Sequence, residues 1–180
     1  MRIQLKVVLF AILFSAQAFA EQTLLFYPYF PGMRLERGNS QNLEIRSVFT
    51  SGVGILVDKW YGSVESGQFE DSNSEGNVSI KRNYQDLSLW GGYSLHEVNS
   101  WNVLGQVGVG LFKERVKTRV GGISDSDTSE EKSLFGLGVE ALYSESSKIW
   151  TVSVGGRFYW GEGLDPNPQP GIYLKLGFQL

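Results

Sequence analysis

Apolar side chains recur at every second position through most of the chain, which predicts β-strands with one apolar face. The clearest case is the stretch 149–160, and 101–111, 132–143 and 171–180 alternate in the same way. In 149–160 one face carries Trp150, Val152, Val154, Gly156, Phe158 and Trp160, and the other carries Thr151, Ser153, Gly155, Arg157 and Tyr159. No sustained helical period follows Glu21, so the pattern indicates an all-β fold.

The alternation predicts eight antiparallel strands in an up-and-down order. They cover 23–37, 42–49, 53–65, 82–95, 101–120, 132–143, 149–160 and 171–180. The connections 50–52, 96–100 and 144–148 are short, whereas 66–77, 121–131 and 161–170 are longer and polar. Short turns at one end and longer loops at the other are typical of an outer-membrane β-barrel.

The first twenty residues predict a secretory signal peptide. Arg2 and Lys6 give a positive start, an apolar stretch follows, and Ala18-Phe19-Ala20 is a cleavage signature. We therefore expect a signal peptide over 1–20 and a single barrel domain over 21–180.

The amino-acid composition excludes or disfavours several classes of function. The 180 residues include no cysteine and one histidine, so a thiol-rich metal site and a disulfide framework are excluded. There are 16 basic and 19 acidic residues, which disfavours nucleic-acid binding. The acidic loops lack the spacing of a calcium-binding EF-hand. We expect neither a metal nor a cofactor.

The direction of the apolar face decides between a membrane barrel and a soluble one. The second face is glycine, small polar residues and single charges, which suits a narrow interior. Aromatic residues cluster near both strand ends, as in the two girdles of a membrane barrel, and the last strand runs to the final residue. These features favour apolar side chains facing lipid, with a soluble barrel of inverted faces as the alternative.

Three segments carry a resemblance to a known family. They are "YSLHEVNSWNVLGQVGVGLFKERV" (93–116), "SLFGLGVEALYSESSKIWTVSVGGRFYW" (133–160) and "GIYLKLGFQL" (171–180). The chain resembles the small outer-membrane β-barrel domain family, the OmpA/OmpX-like class of eight-stranded barrels. The resemblance implies the outer membrane of a Gram-negative bacterium and recognition of the C-terminal strand by the barrel-assembly machinery.

If the polar face points inward, the interior holds charges that must pair, because an unpaired buried charge costs several kcal/mol. We expect an ion-pair network that fills the interior, with Glu140 and Lys175 as a pair. A narrow channel for small solutes is the alternative. The predicted network comprises Glu44, Arg46, Asp58, Asp86, Glu140, Arg157 and Lys175.

The segment 101–120 is about twice the 9–11 residues that cross a membrane, so its second half should protrude. Lys113, Arg115, Lys117 and Arg119 share the parity of the outward apolar residues. They predict an outward basic row that contacts lipopolysaccharide phosphates. Simple solvation of a protruding hairpin is the alternative explanation.

The only histidine, His96, falls in the predicted turn 96–100, on the side away from the outer leaflet. A lipid A-modifying enzyme would need a histidine base beside the lipid, so we expect no catalytic residues. The sequence favours a monomeric protein with a structural or surface-interaction role, similar to adhesion or resistance proteins. It identifies no extracellular partner.

Overall fold

The structure is a computed structural model that describes residues 22–37, 42–75, 77–121, 123–128, 130–145 and 147–180. The predicted signal peptide lies outside the described residues. The described residues contain no helix that could span a bilayer. The strands are β1 (Gln22–Arg37), β2 (Leu43–Val57), β3 (Trp60–Glu75), β4 (Val78–Val98), β5 (Trp101–Val120), β6 (Ile123–Thr128), β7 (Lys132–Tyr143), β8 (Trp150–Gly161) and β9 (Gln169–Gln179).

Eight of these strands form a closed ring. Every neighbouring pair in the ring is antiparallel, and β1 closes it by pairing with β9. β6 stands outside the ring and pairs with the far half of β5, from Arg115 to Val120. The predicted eight-stranded antiparallel up-and-down barrel is therefore confirmed, with β6 as an added hairpin strand.

The two faces of the wall point as the alternation predicts. Outward side chains such as Val107, Val154 and Leu176 are about half exposed, at 56%, 52% and 53%, whereas Glu140 and Lys175 are fully buried. A continuous apolar exterior of this size is unfavourable in water, and it is the lipid-contacting belt of a membrane barrel. The inverted arrangement of a soluble barrel is excluded.

Aromatic residues frame this belt at both ends. At the end that carries the turns Asp58-Lys59 and Asn99-Ser100 (the turn end), ring contacts join Trp60 to Tyr93, Trp101 to Tyr143, and Tyr143 to Trp150, with centroids 4.9 to 5.3 Å apart. At the opposite end (the loop end) they join Tyr29 to Phe49, Phe135 to Trp160, and Phe158 to Trp160. Amphipathic rings at two levels mark the two membrane interfaces.

The boundary between β2 and β3 differs from the prediction. Residues 50–52, expected as a turn, lie inside β2, and the real turn is Asp58-Lys59, where Asp58 has a φ of 52°. This strand position requires glycine, because the Cβ of any other residue would lie only 2.9 Å from the Val64 carbonyl oxygen. As a result β3 runs on to Glu75, through most of the predicted loop 66–77.

The prolines of β1 are accommodated by an irregularity in its pairing. The register to β2 shifts between Tyr27 and Phe30, and the register to β9 shifts between Phe26 and Gly32. Pro28 lies within the shifted segment, where a missing N–H does not break a regular ladder. The strand therefore continues from Gln22 to Arg37.

Candidate functional site

The centre of the barrel holds four charged side chains from four strands: Glu65 of β3, Glu140 of β7, Arg157 of β8 and Lys175 of β9. Lys175 Nζ lies 2.8 Å from Glu65 Oε1 and 2.9 Å from Glu140 Oε2. Arg157 donates to both oxygens of Glu65, at 2.5 and 3.0 Å. Each cation thus contacts an acid, and the group is neutral as a set.

Polar and aromatic neighbours complete this centre. Gln106 Nε2 donates to Glu140 Oε2 at 2.8 Å, and the Tyr173 hydroxyl donates to the same oxygen at 2.7 Å. The Arg157 guanidinium lies 3.7 Å from the ring centroid of Trp90, in cation–π geometry. The charges are therefore held by hydrogen bonds and rings that pack around them, as a buried ion cluster requires.

A second buried pair lies nearer the loop end. Arg34 Nη2 lies 2.8 Å from Asp86 Oδ2, and the Gly67 amide donates to Asp86 Oδ1 at 3.1 Å. The Arg34 guanidinium also covers the Tyr159 ring at 4.2 Å.

Apolar layers enclose the charged centre on both sides. One cluster, with Trp90 and Tyr159 at its middle, adds Phe112 and Leu134. The other comprises Leu25, Tyr27, Phe30, Leu56, Tyr61, Leu104, Leu142 and Tyr173. A cavity of about 20 Å³ remains between Arg34, Glu65 and Arg157, enough for about one water molecule. The interior is a packed polar core.

The structure places the predicted interior residues in three locations. Asp86, Glu140, Arg157 and Lys175 lie inside, and Glu140 and Lys175 are in direct contact. The other three members of the predicted network, Glu44, Arg46 and Asp58, lie elsewhere.

Glu44 and Arg46 belong to the rim at the loop end. Arg46 Nη2 lies 2.7 Å from Glu44, and Arg46 Nε lies 3.5 Å from Glu36. Burial raises the pKa of the Glu36 carboxyl, against the opposing effect of Arg46.

The expectation that Asp58 lines the interior is wrong. Asp58 occupies the exposed β2–β3 turn, because β2 continues past the point where it was expected to end.

Two charged residues of the interior, Glu65 and Arg34, were not predicted from the sequence. Glu65 is the last residue of the predicted strand 53–65 and was not included in the predicted network. It shares inward parity with Tyr61 and Ser63, and it is 1% exposed. Arg34 belongs to the proline-containing first strand, where the alternation is interrupted. Parity with buried neighbours is the signal that could have found Glu65.

The basic row lies where the alternation predicted. Lys113, Arg115, Lys117 and Arg119 are all exposed on the outward face of β5. Among the side chains described on that face of the protruding hairpin, Lys81 of β4 lies directly opposite Lys117. We call these five residues the basic face. The acidic side chains of β6 point the other way, since Asp125 and Asp127 pair with Thr118 and Val116. On the outward side of β4, Lys81 forms an ion pair of 2.6 Å with Glu70 of β3.

His96 lies near the end of β4, at the turn end of the barrel, and is exposed. It is in the strand just before the turn at Asn99, next to a register shift after Ser94. The basic face is at the opposite end of β5. Among the described residues, no group of histidine, aspartate and glutamate side chains is arranged to hold a metal ion.

Comparisons with known proteins bear on the fold. No protein-family model matches the chain, and no match was found among curated protein sequences. The chain is similar to the crystal structure of Ail, the attachment invasion locus protein of Yersinia pestis, with a TM-score of 0.62 and 13% identity over 89% of this chain and 100% of Ail. Ail in complex with the heparin analogue sucrose octasulfate gives a TM-score of 0.63 at 12% identity.

Neisserial surface protein A is also similar, with a TM-score of 0.54 and 12% identity over 89% of this chain and 99% of that one. Together with the lipid belt and the aromatic girdles, these likenesses show the fold of the chain. The chain has the fold of the small outer-membrane β-barrels, the OmpA/OmpX-like class. The location that belongs to this fold is the outer membrane of a Gram-negative bacterium.

Proposed function

We propose that the protein is a non-enzymatic surface-interaction protein of the outer membrane, and that its basic face binds lipopolysaccharide phosphates. The observation that carries the proposal is the row of four exposed cations, Lys113 to Arg119, on one face of a strand that extends beyond the lipid belt. The turn end then faces the periplasm and the loop end faces outward.

The height of the row suits this role. Trp101 to Leu111 is about the length of a tilted membrane-spanning strand, so Lys113 follows at the level of the outer headgroups. Alternate residues of a strand are about 6.8 Å apart, so the row presents cations over about 20 Å. Guanidinium and ammonium groups at such spacing match a surface of fixed phosphates.

On their β6 side the cations of β5 have no acid beside them, which strengthens the attraction. Among the described residues, β6 places Ser124, Ser126 and Thr128 beside Arg119, Lys117 and Arg115. The complex of Ail with a heparin analogue shows that a related barrel was captured with a highly sulfated molecule. That likeness supports anion binding here by analogy.

The test uses two variants of the same hairpin. In the first, Lys113, Arg115, Lys117 and Arg119 become Ser. In the matched control, Glu114 becomes Gln and Asp125 and Asp127 become Asn. Folded proteins are compared for binding to lipopolysaccharide and to its deacylated diphosphoryl disaccharide. We expect the wild type and control to bind both, with affinity falling as salt rises, and the first variant to lose both. Unchanged binding by the first variant would refute the proposal.

The remaining parts of the proposal concern biogenesis and activity. Residues 1–20 direct export and are removed, and the C-terminal strand ending at Leu180 is the segment read by the barrel-assembly machinery. The protein acts as a monomer. Mass spectrometry of lipid A from cells with and without the protein tests the non-enzymatic role, and a lipid A species that depends on the protein would contradict it.

A further inference from the structure

The barrel wall opens sideways at the loop end between β2 and β3. Their pairing begins at Val57–Trp60 and stops at Phe49–Gln68. Beyond that level, β2 pairs only with β1 as far as Leu43, and β3 pairs only with β4 as far as Glu75. A cleft of about 400 Å³ lies between the two hairpins. It is lined by Ile45, Arg46, Ser47, Phe49, Gln68, Phe69, Glu70 and Asn83.

The two sides of the cleft differ in chemistry. The β1–β2 side is apolar on its outer face, where Met33, Leu43 and Ile45 are 49%, 56% and 67% exposed. The β3–β4 side is polar, with Gln68 at its base and an ion pair of 2.6 Å between Glu70 and Lys81. An amphiphile would find an apolar wall on one side and hydrogen-bonding groups on the other.

The floor of the cleft lies at the boundary of the lipid belt. Phe49 stacks on Tyr29 with centroids 5.0 Å apart, as part of the aromatic girdle at the loop end. The length of β2 from Val57 to Phe49 is close to the 9–11 residues of a membrane-spanning strand. The apolar wall therefore continues directly from the surface that outer-leaflet acyl chains already contact.

We propose that this cleft binds an acyl chain of an outer-leaflet lipid. The chain lies against Ile45, Phe49 and Phe69, and the polar group at its head faces Gln68 and Asn83. Asn83 is suited to this contact, since its side-chain oxygen is buried and accepts no hydrogen bond from the described residues. Phe69 forms a firm back wall because it stacks on Tyr84 at 4.2 Å. A volume of this size is within the range of ligand pockets.

The cleft adjoins the basic face at Lys81, which pairs with Glu70, but the four cations of β5 do not line the cleft. The two proposals are therefore tested with different variants. The probes are hexa-acylated lipid A and its deacylated diphosphoryl disaccharide, measured by native mass spectrometry of folded protein in detergent. Ser47→Trp fills the cleft, and His96→Trp adds the same ring to an exposed position at the turn end, away from the cleft and the basic face. Folding of each variant is checked by heat-dependent gel mobility. Ile45→Gln is a second variant that makes the wall polar without filling the cleft.

We expect lipid A to bind the wild type and His96→Trp equally, and Ser47→Trp and Ile45→Gln at least about tenfold more weakly. Loss of contact with only two methylene groups gives about that factor. The disaccharide should bind all four proteins alike. Equal binding of lipid A by Ser47→Trp would overturn the proposal, and so would disaccharide binding as tight as that of lipid A. Loss of disaccharide binding on neutralising the basic face tests the proposed function instead.

A strand could also occupy the cleft, because both of its edges carry unpaired backbone groups. Hydrogen exchange of the amides of 43–48 distinguishes the two occupants. An acyl chain forms no hydrogen bonds, so lipid A should leave alternate edge amides exchanging rapidly. Strong protection of these amides together with a dimer mass would assign the cleft to a second copy of the chain and overturn the lipid proposal.

Discussion

Replacing Glu65 by Gln is expected to destabilise the barrel more than any neutral substitution at its rim. Glu65 accepts from Arg157 at 2.5 and 3.0 Å and from Lys175 at 2.8 Å. After the change, both cations depend on Glu140, which lies 2.9 Å from Lys175 but 3.7 Å from Arg157. Arg157 is then a buried cation without a close acid, and breaking a buried pair in this way costs about 3–5 kcal/mol. Such a cost is a large fraction of a typical stability of about 5–15 kcal/mol.

A double-mutant cycle isolates the charge effect from the change in packing. Arg157→Met removes the unpaired cation, and in the double variant the Glu140–Lys175 contact of 2.9 Å persists. We therefore expect the double variant to lose less free energy of unfolding than Glu65→Gln and Arg157→Met lose together, by at least about 2 kcal/mol. Glu44→Gln is the control, because its ion pair with Arg46 is partly exposed and should contribute less than about 1 kcal/mol.

The assay is urea unfolding in lipid bicelles, followed by tryptophan fluorescence and by heat-dependent gel mobility. Trp90 reports directly, since its ring contacts the Arg157 guanidinium at 3.7 Å. If Glu65→Gln costs no more than Glu44→Gln, or if the two interior substitutions are additive, the interior is not a low-dielectric ion cluster.

Further predictions follow from the packed interior and from the turns. In planar bilayers the purified protein should give no large steady conductance, because apolar layers enclose the charged centre; such a conductance would contradict a filled interior. Gly108→Val should lower the free energy of unfolding by about 1–3 kcal/mol, because a Cβ there would lie 2.5 Å from the Trp90 ring. Gly91→Val is its control, with no atom within 4 Å of the added carbon. Asp58→Val should cost about 1–2 kcal/mol in the same urea assay, because φ is 52°, while Asp58→Gly should cost nothing. Equal costs for the two would refute the turn assignment.

Alternation along the chain was sufficient to predict the wall. A strand that separates lipid from a polar interior must alternate between apolar and polar residues along its whole length. The sequence of each strand therefore predicts by itself that the segment is a strand and which of its faces points outward. The same parity placed Lys113 to Arg119 outward, because β5 keeps its register from Trp101 to Val120 without a shift to β7 or β6.

The β2–β3 boundary could not be predicted because glycine is favoured both in turns and where two strands approach closely. Thr50, Ser51 and Gly52 are typical turn residues, and they predicted a turn. In the barrel Gly52 is required for space, since a Cβ would crowd the Val64 carbonyl and the Glu65 side chain. Close approach of backbones and a reversal of the chain favour the same residue type, and the sequence alone does not separate them.

The partners of the interior charges depend on closure of the ring. Arg157 and Glu65 are 92 positions apart in sequence, and Lys175 and Glu65 are 110 apart. Parity can say that a charge points inward, but the tilt and register of all eight strands decide which acid it meets. The contact between Glu140 and Lys175 could be anticipated because both lie a few residues from the turn end, on β7 and β9, which flank β8. Contacts across the barrel could not be anticipated in this way.

Charge neutrality gives a criterion that detects the error in the predicted network. A narrow interior has no water to screen an excess charge, so the inward set must balance as a whole. The predicted network had four acids and three bases, an imbalance that already indicated an error in it. Asp58 belongs to the turn, and Glu44 with Arg46 forms a pair at the rim. The predicted residues that remain inside are two acids, Asp86 and Glu140, and two bases, Arg157 and Lys175. The structure adds one acid and one base to these four. The balanced interior is Glu65, Asp86 and Glu140 with Arg34, Arg157 and Lys175. Neutrality therefore detects the misplaced Asp58, but it does not find Glu65 and Arg34, because they enter the interior as one acid and one base. Parity with Tyr61 and Ser63 is what places Glu65 inside.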